Sequence, residues 1–188
     1  MKLVPTALPG VVVVEPTVHA DDRGWFMESF NAARFDAALQ ALGLPPAGPF
    51  VQDNHACSHA GVLRGLHHQL PPHAQGKLVR VLQGRAFDVA VDLRRSSPRF
   101  GHWVGVELSA GNRRQLWIPP GFGHGVLALE DGTEVHYKNT AAYAPQHERA
   151  IRFDDPRLGI AWPLNGRQPT LSARDAAAPG FDAADVFD

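Results

Sequence analysis

Leu78-Val79-Arg80-Val81-Leu82-Gln83-Gly84-Arg85-Ala86-Phe87-Asp88-Val89-Ala90-Val91-Asp92-Leu93 decides the fold class. Two runs rich in valine and leucine flank Gln83-Gly84, and a glycine-bearing break between β-prone runs signals a turn between strands. The pattern repeats outward. His102 to Leu108, Gln115 to Ile118, Gly125 to Leu129 and Thr133 to Lys138 read as further strands. Ser96-Ser97-Pro98, Ala110-Gly111-Asn112 and Glu130-Asp131-Gly132 read as the turns between them. Upstream, the β-branched run Val11 to Val14 predicts a strand, as does Trp25 to Phe30 after the turn Asp21-Asp22-Arg23-Gly24. Asn31 caps one helix, Ala32 to Leu42, and Gly43 stops it. Many short strands at even spacing predict a mainly β sandwich or jelly roll. The Pro-, Gly- and Asp-rich tail from Asp154 predicts irregular structure laid over that core, with Asp182 to Asp188 a solvated terminus.

At 188 residues the chain predicts a single domain with its own hydrophobic core. Eighteen basic against 19 acidic residues give a net charge of −1, so no global field draws nucleic acid or an anionic membrane. An anionic ligand must then be held by local basic groups. The single cysteine, Cys57, excludes an intramolecular disulfide and fits a reducing cytoplasm; it is expected to be a small packed residue. Met1-Lys2-Leu3-Val4-Pro5-Thr6 reads as neither signal peptide nor membrane span. A strand-rich chain has sheet edges to protect, which predicts dimerisation by sheet extension or strand exchange.

Chemistry gathers in three stretches. Arg64-Gly65-Leu66-His67-His68-Gln69 runs through a Pro-punctuated turn to Gln75-Gly76-Lys77. Ile118 to Gly125 carries His124, and Glu134 to Lys138 carries Tyr137. Long titratable side chains between strand signals suit the mouth of a β-barrel. His67 is the candidate base, since imidazole accepts a proton near neutrality; its plain alternative is a structural histidine. Lys77 is either an oxyanion stabiliser or a solvated lysine at a strand start. Alternation sends Tyr137 to the opposite face from His136 and Lys138; a phenol facing the lumen can donate a proton, and one facing solvent is an ordinary surface residue. The guanidinium forks of Arg23 and Arg64, with Glu28, suit a phosphorylated or nucleotide-bearing ligand, or else ordinary surface pairs. His67, His68, His73 and His124 raise the question of a divalent metal. No compact His-x-His pair with a following glutamate is present, and Lys77 would repel an ion, so no metal is expected. A Gly-rich phosphate loop, a Gly-x-Ser-x-Gly elbow and a paired-cysteine zinc signature are also missing.

Longer motifs then fall into a known order. They include Asp22-Arg23-Gly24-Trp25-Phe26-Met27-Glu28, Gln52-Asp53-Asn54-His55, Gly61 to His67, Gln75 to Val81, Phe87 to Arg94 and Leu116 to Phe122. Asp154-Asp155-Pro156, Gly159 to Pro163 and Leu171-Ser172-Ala173-Arg174-Asp175 follow. From about Pro16 to about Pro179 the chain resembles the dTDP-4-dehydrorhamnose 3,5-epimerases. The resemblance implies one cupin-like jelly-roll domain over residues 1–188, with an N-terminal helix and an irregular or helical C-terminal segment. It implies a cytoplasmic homodimer, without metal or organic cofactor, acting on a dTDP-linked 4-keto-6-deoxy sugar in dTDP-L-rhamnose synthesis. His67 matches the base, Asp175 its orienting carboxylate, Lys77 the cation near the enolate oxygen and Tyr137 the acid. Arg23, Glu28, Gln52, Asp53, Asn54, Arg64, His124, Glu148 and Arg174 match substrate-binding positions, and Tyr143 the ring stacked on thymine. Four positions depart from the common pattern: His68 stands where tyrosine is commoner, Arg174 where lysine is, and Gly123 and Val126 are smaller than usual beside His124. The readings left open are a single-carbon epimerase, a non-catalytic sugar-nucleotide-binding cupin and a metal-dependent cupin.

Overall fold

The valine run near the N-terminus is buried on both faces, which is why it does not alternate with polar residues. Val11 and Val13 enter the main core, while Val12 and Val14 pack beneath a helix. The computed structural model describes residues 1–188. Its strands are β1 (Lys2–Pro5), β2 (Val12–Glu15), β3 (Val18–Asp21), β4 (Gly24–Met27), β5 (Gln52–Ser58), β6 (Leu63–Gln69) and β7 (Lys77–Gln83). There follow β8 (Arg85–Asp92), β9 (Trp103–Ser109), β10 (Gln115–Ile118), β11 (Phe122–Ala128), β12 (Thr133–Asn139) and β13 (Glu148–Ala150). Helix α1 (Ala32–Ala41) follows β4, and the short α2 (Ala173–Ala176) lies near the C-terminus. One sheet runs β1-β2-β10-β7-β12-β5 and the other β13-β6-β11-β8-β9, while β3 and β4 form a separate hairpin. The ladders of both sheets are antiparallel, so the mainly β sandwich that the strand spacing predicts is what forms.

Between the sheets, Val79, Val81 and Leu116 meet Ala86, Ala90, Leu108 and Phe122. Helix α1 covers the back of the six-stranded sheet. Asn31 caps it by accepting from the Arg34 N–H, and Phe35 and Leu39 bury against Val12, Leu78 and Trp117. The back of the five-stranded sheet, Leu66, Val89, Val91 and Leu93, is covered by a C-terminal strap carrying Leu158, Phe181, Ala184 and Phe187. No helix is long and apolar enough to cross a membrane.

Four expectations are corrected. Arg64 to Gln69 belongs to strand β6, with the turn confined to the prolines after it. The strand after Asp22-Arg23 ends at Met27. The acidic terminus is not simply solvated: Phe187 is buried and its N–H donates to the Leu93 carbonyl, because apolar residues recur among the aspartates. Cys57 is exposed. It lies on β5, an edge strand, on the outer face of the sheet opposite the cavity-lining Ala56 and Ser58, paired with Glu134.

Gly65 is a position only glycine fits. Its φ is +126°, and an added Cβ would lie 2.5 Å from Gly125 Cα on β11. Gly65→Ala is expected to cost on the order of 2 kcal/mol or more, through backbone strain and overpacking together, read as a lower denaturant midpoint at unchanged slope.

Candidate active site

Beyond the core cluster the two sheets enclose a cavity of about 280 Å³, which adjoins a polar recess of about 200 Å³ across the shared walls His67, Lys77 and Tyr137. The five-stranded sheet supplies Arg64, His67, His124 and Val126 to the cavity, and the six-stranded sheet Ala56, Ser58, Lys77, Val135 and Tyr137. Alternation on β12 explains Tyr137: Val135 and Tyr137 face inward, while Lys138 pairs with Asp53 outside. Alternation does not explain β6, since residues three apart ought to face opposite ways. The pairing of β6 with β11 slips between His124 and Val126, and this irregularity lets Arg64 and His67 share the cavity.

His67 Nε2 lies 2.5 Å from Asp175 Oδ1, a carboxylate 108 positions later on α2. With Nε2–H given to the carboxylate, Nδ1 is the basic atom of the ring. Asp175 is 4% exposed, and its second oxygen accepts from the Ser172 hydroxyl at 2.8 Å. Burial pushes its carboxyl up, but the His67 hydrogen bond and charge, the Ser172 hydroxyl and Arg174 outweigh that and hold it below the usual range. Burial pushes the Lys77 ammonium down to about 8, against the pull of Asp88 and Glu148. Burial also pushes the Tyr137 phenol up, so it keeps its proton at neutral pH. His124 Nε2 sits 3.0 Å from both oxygens of the fully buried Asp88, and its ring centroid is 6.4 Å from that of Tyr137. Burial lowers His124 despite the Asp88 charge. A base, an acid that stays protonated and a cation thus face one partly apolar space, which suits proton removal beside a carbonyl.

At the recess mouth Tyr143 is half-exposed, and its hydroxyl donates to Glu148 Oε2 at 2.8 Å. Arg174 also pairs with Glu148. Gln52 accepts from the Tyr143 N–H and donates to Asn54, so the three form one rim.

Not every expected residue is there. Asp53 faces outward to Lys138. Arg23 forks onto Asp21 on the exposed β3–β4 hairpin, and Glu28 binds Arg34 and Asn31 beside α1. Neither lines the cavity or the recess. His68 does not crowd the base from within: its ring packs on Phe187, Nε2 meets the Asp185 carbonyl at 2.7 Å, and burial lowers it to about 4. His73 stacks on His147. Of the four histidines weighed as a metal set only His67 and His124 share the cavity, each held by its own aspartate, and no three His, Cys, Asp or Glu side chains are grouped to hold an ion. Asp88, Ser172 and Asn139 are site residues that sequence reasoning does not reach. An aspartate inside Phe87-Asp88-Val89-Ala90, and a serine three before an aspartate, are the signals that point to the first two.

A family model described as dTDP-4-dehydrorhamnose 3,5-epimerase matches residues 5–183. The chain belongs to that family. Its relative in Pseudomonas aeruginosa, a dTDP-4-dehydrorhamnose 3,5-epimerase, is 52% identical over all of this chain and 99% of its own. A Shigella flexneri enzyme of the same name is 51% identical over the same shares. Among solved structures, the dTDP-6-deoxy-D-glucose-3,5-epimerase of Legionella pneumophila, in complex with dTDP-4-keto-L-rhamnose, superposes with a TM-score of 0.90. That pair is 47% identical, covering 98% of this chain and 94% of the other. Membership in the 3,5-epimerase family also accounts for the cupin-like sandwich.

Proposed function

We infer that the protein is an isomerase that converts dTDP-4-dehydro-6-deoxy-D-glucose to dTDP-4-dehydro-L-rhamnose, for dTDP-L-rhamnose synthesis, using residues 1–188 as one catalytic domain. The observation that carries this is the His67–Asp175 pair at 2.5 Å, facing Lys77 and Tyr137 across one cavity. The C4 ketone acidifies the hydrogens on C3 and C5 alike. Nδ1 of His67 takes one; the electrons move to the C4 oxygen, and Lys77 holds the resulting enolate. Tyr137, on the other sheet, returns a proton to the opposite face of the carbon, which inverts it. Exchange with solvent then takes the proton from His67 and returns one to the Tyr137 phenolate, and the cycle repeated at the second carbon completes the double inversion. Lys77 keeps its role across both cycles, because one enolate oxygen serves both carbons. Arg64, His124, Gln52 and Asn54 hold the sugar and its phosphates, and Tyr143, braced by Glu148 and Arg174, stacks on the thymine.

Arg23, Glu28 and the exposed edge of β5 fit a homodimer. On the β3–β4 hairpin, Trp25 and Phe26 are 53% and 71% exposed, and the hairpin pairs with no other strand. We assign it to the surface of a second copy, where Arg23 and Glu28 would reach the partner's substrate. Phe26→Asp is then expected to shift the sedimentation of the protein from dimer to monomer and to raise KM. A monomeric wild type would remove this assignment. A single exposed thiol fits an enzyme of the reducing cytoplasm.

Proton NMR of dTDP-4-keto-6-deoxy-D-glucose with the enzyme in deuterium oxide tests the reaction. Deuterium at both C3 and C5 is the expected result. Label at one carbon would make it a single-carbon epimerase, and no label with nucleotide bound would leave only a binding protein.

A further inference from the structure

Asp175 must present one particular oxygen to His67, yet a carboxylate turns easily about its terminal torsion. Its orientation is held by the residue that starts α2. Ser172 Oγ accepts the Asp175 N–H at 3.0 Å and lies 2.8 Å from Asp175 Oδ2, while Oδ1 faces His67. A hydroxyl has one proton and two lone pairs, so it can accept the backbone donor and donate to the carboxylate at once. We propose that Ser172 is a positioning residue of the base: its hydroxyl clamps Asp175 Oδ2, aiming Oδ1 at His67, while it caps the helix that carries Asp175. Ser172 also lines the cavity beside both groups.

The clamp removes the carboxylate's freedom to swing, and small losses of alignment at a reacting centre are costly. An aspartate would cap the helix as well but would bring a second negative charge and no proton. The role rests on the reading of His67 as the base.

Ser172→Gly separates the cap from the clamp, because glycine is a nearly adequate N-cap but donates nothing. The expected result is a thermal midpoint close to the wild type and kcat down about tenfold with KM within about twofold. Ser172→Thr, which restores the hydroxyl, should return kcat. Wild-type kcat in Ser172→Gly would overturn the proposal, as would a folded Ser172→Thr that fails to recover. Should Ser172→Gly not fold, Ser172→Asp keeps the cap without the donor, and wild-type turnover there would be equally fatal. His67→Gln is measured alongside. If it still exchanges substrate hydrogens the base assignment fails; if it is dead while the Ser172 variants behave normally, only the clamp fails.

Discussion

His67→Ala is expected to lower kcat by about 10²–10⁴-fold, the usual worth of a positioned general base, and to abolish deuterium entry at C3 and C5. Dead chemistry in a folded protein is the informative result; a folded, active variant would remove His67 from its role. The folding readout has its own signature. In the wild type the Asp175 carboxyl is held below the usual range, so the pairing stabilises the fold above about pH 4 and is lost as pH falls through the lowered value. Without the imidazole, burial acts on a carboxylate left with Ser172 and Arg174. The stability deficit of His67→Ala should therefore be largest near neutrality and shrink on acidification. His67→Gln, which offers an amide donor toward Asp175, should be as inactive but more stable, and comparing unfolding midpoints across pH checks both statements.

Lys77→Met is the second large effect. The enolate is the high-energy species, and removing one preorganised stabiliser of an oxyanion costs about 10²–10³ in kcat, roughly 3 kcal/mol. The change should raise stability, because burial strips water from the ammonium in the native state, whereas a thioether of similar length carries no charge to desolvate. Loss of rate with a gain in thermal midpoint is a combination that a merely structural lysine would not give. The pH dependence carries the same residue's mark. The useful form is the cation, present below about 8 and lost as pH rises through it, so wild-type kcat should fall on the alkaline side there, well below where an ordinary lysine titrates. Unchanged activity in Lys77→Met would end the assignment.

Much of the fold and part of the site are legible in the amino-acid sequence alone. The inward face of Tyr137 follows from alternation, and the helix ends where Asn31 and Gly43 say it does, to within a residue or so. The irregular tail lies over the β core as its composition suggests. What cannot be read along the chain is long-range or relational. Arg64 and His67 share a face only because β6 and β11 slip register, and a slip is a property of two strands together. Cys57 looks like a packing residue until its strand proves to be an edge. The partnership of His67 with Asp175 spans 108 positions, and no local periodicity encodes it; only the family resemblance suggests it. Arg23 and Glu28 match the motif but sit outside the cavity, since a motif records which residues recur and not where in space they lie.

The C-terminal strap has a consequence for the life of the chain in the cell. It is pinned where Asp155 accepts the Phe181 N–H and where Phe187 bonds to Leu93, and along its course it delivers Asp175. During translation both sheets emerge before it does, so catalytic competence matures last. A nascent or truncated polypeptide lacking the strap lays bare Leu66, Val89, Val91 and Leu93, the kind of apolar surface that chaperones and proteases recognise. One segment thus both closes the apolar back of the five-stranded sheet and brings Asp175 to His67.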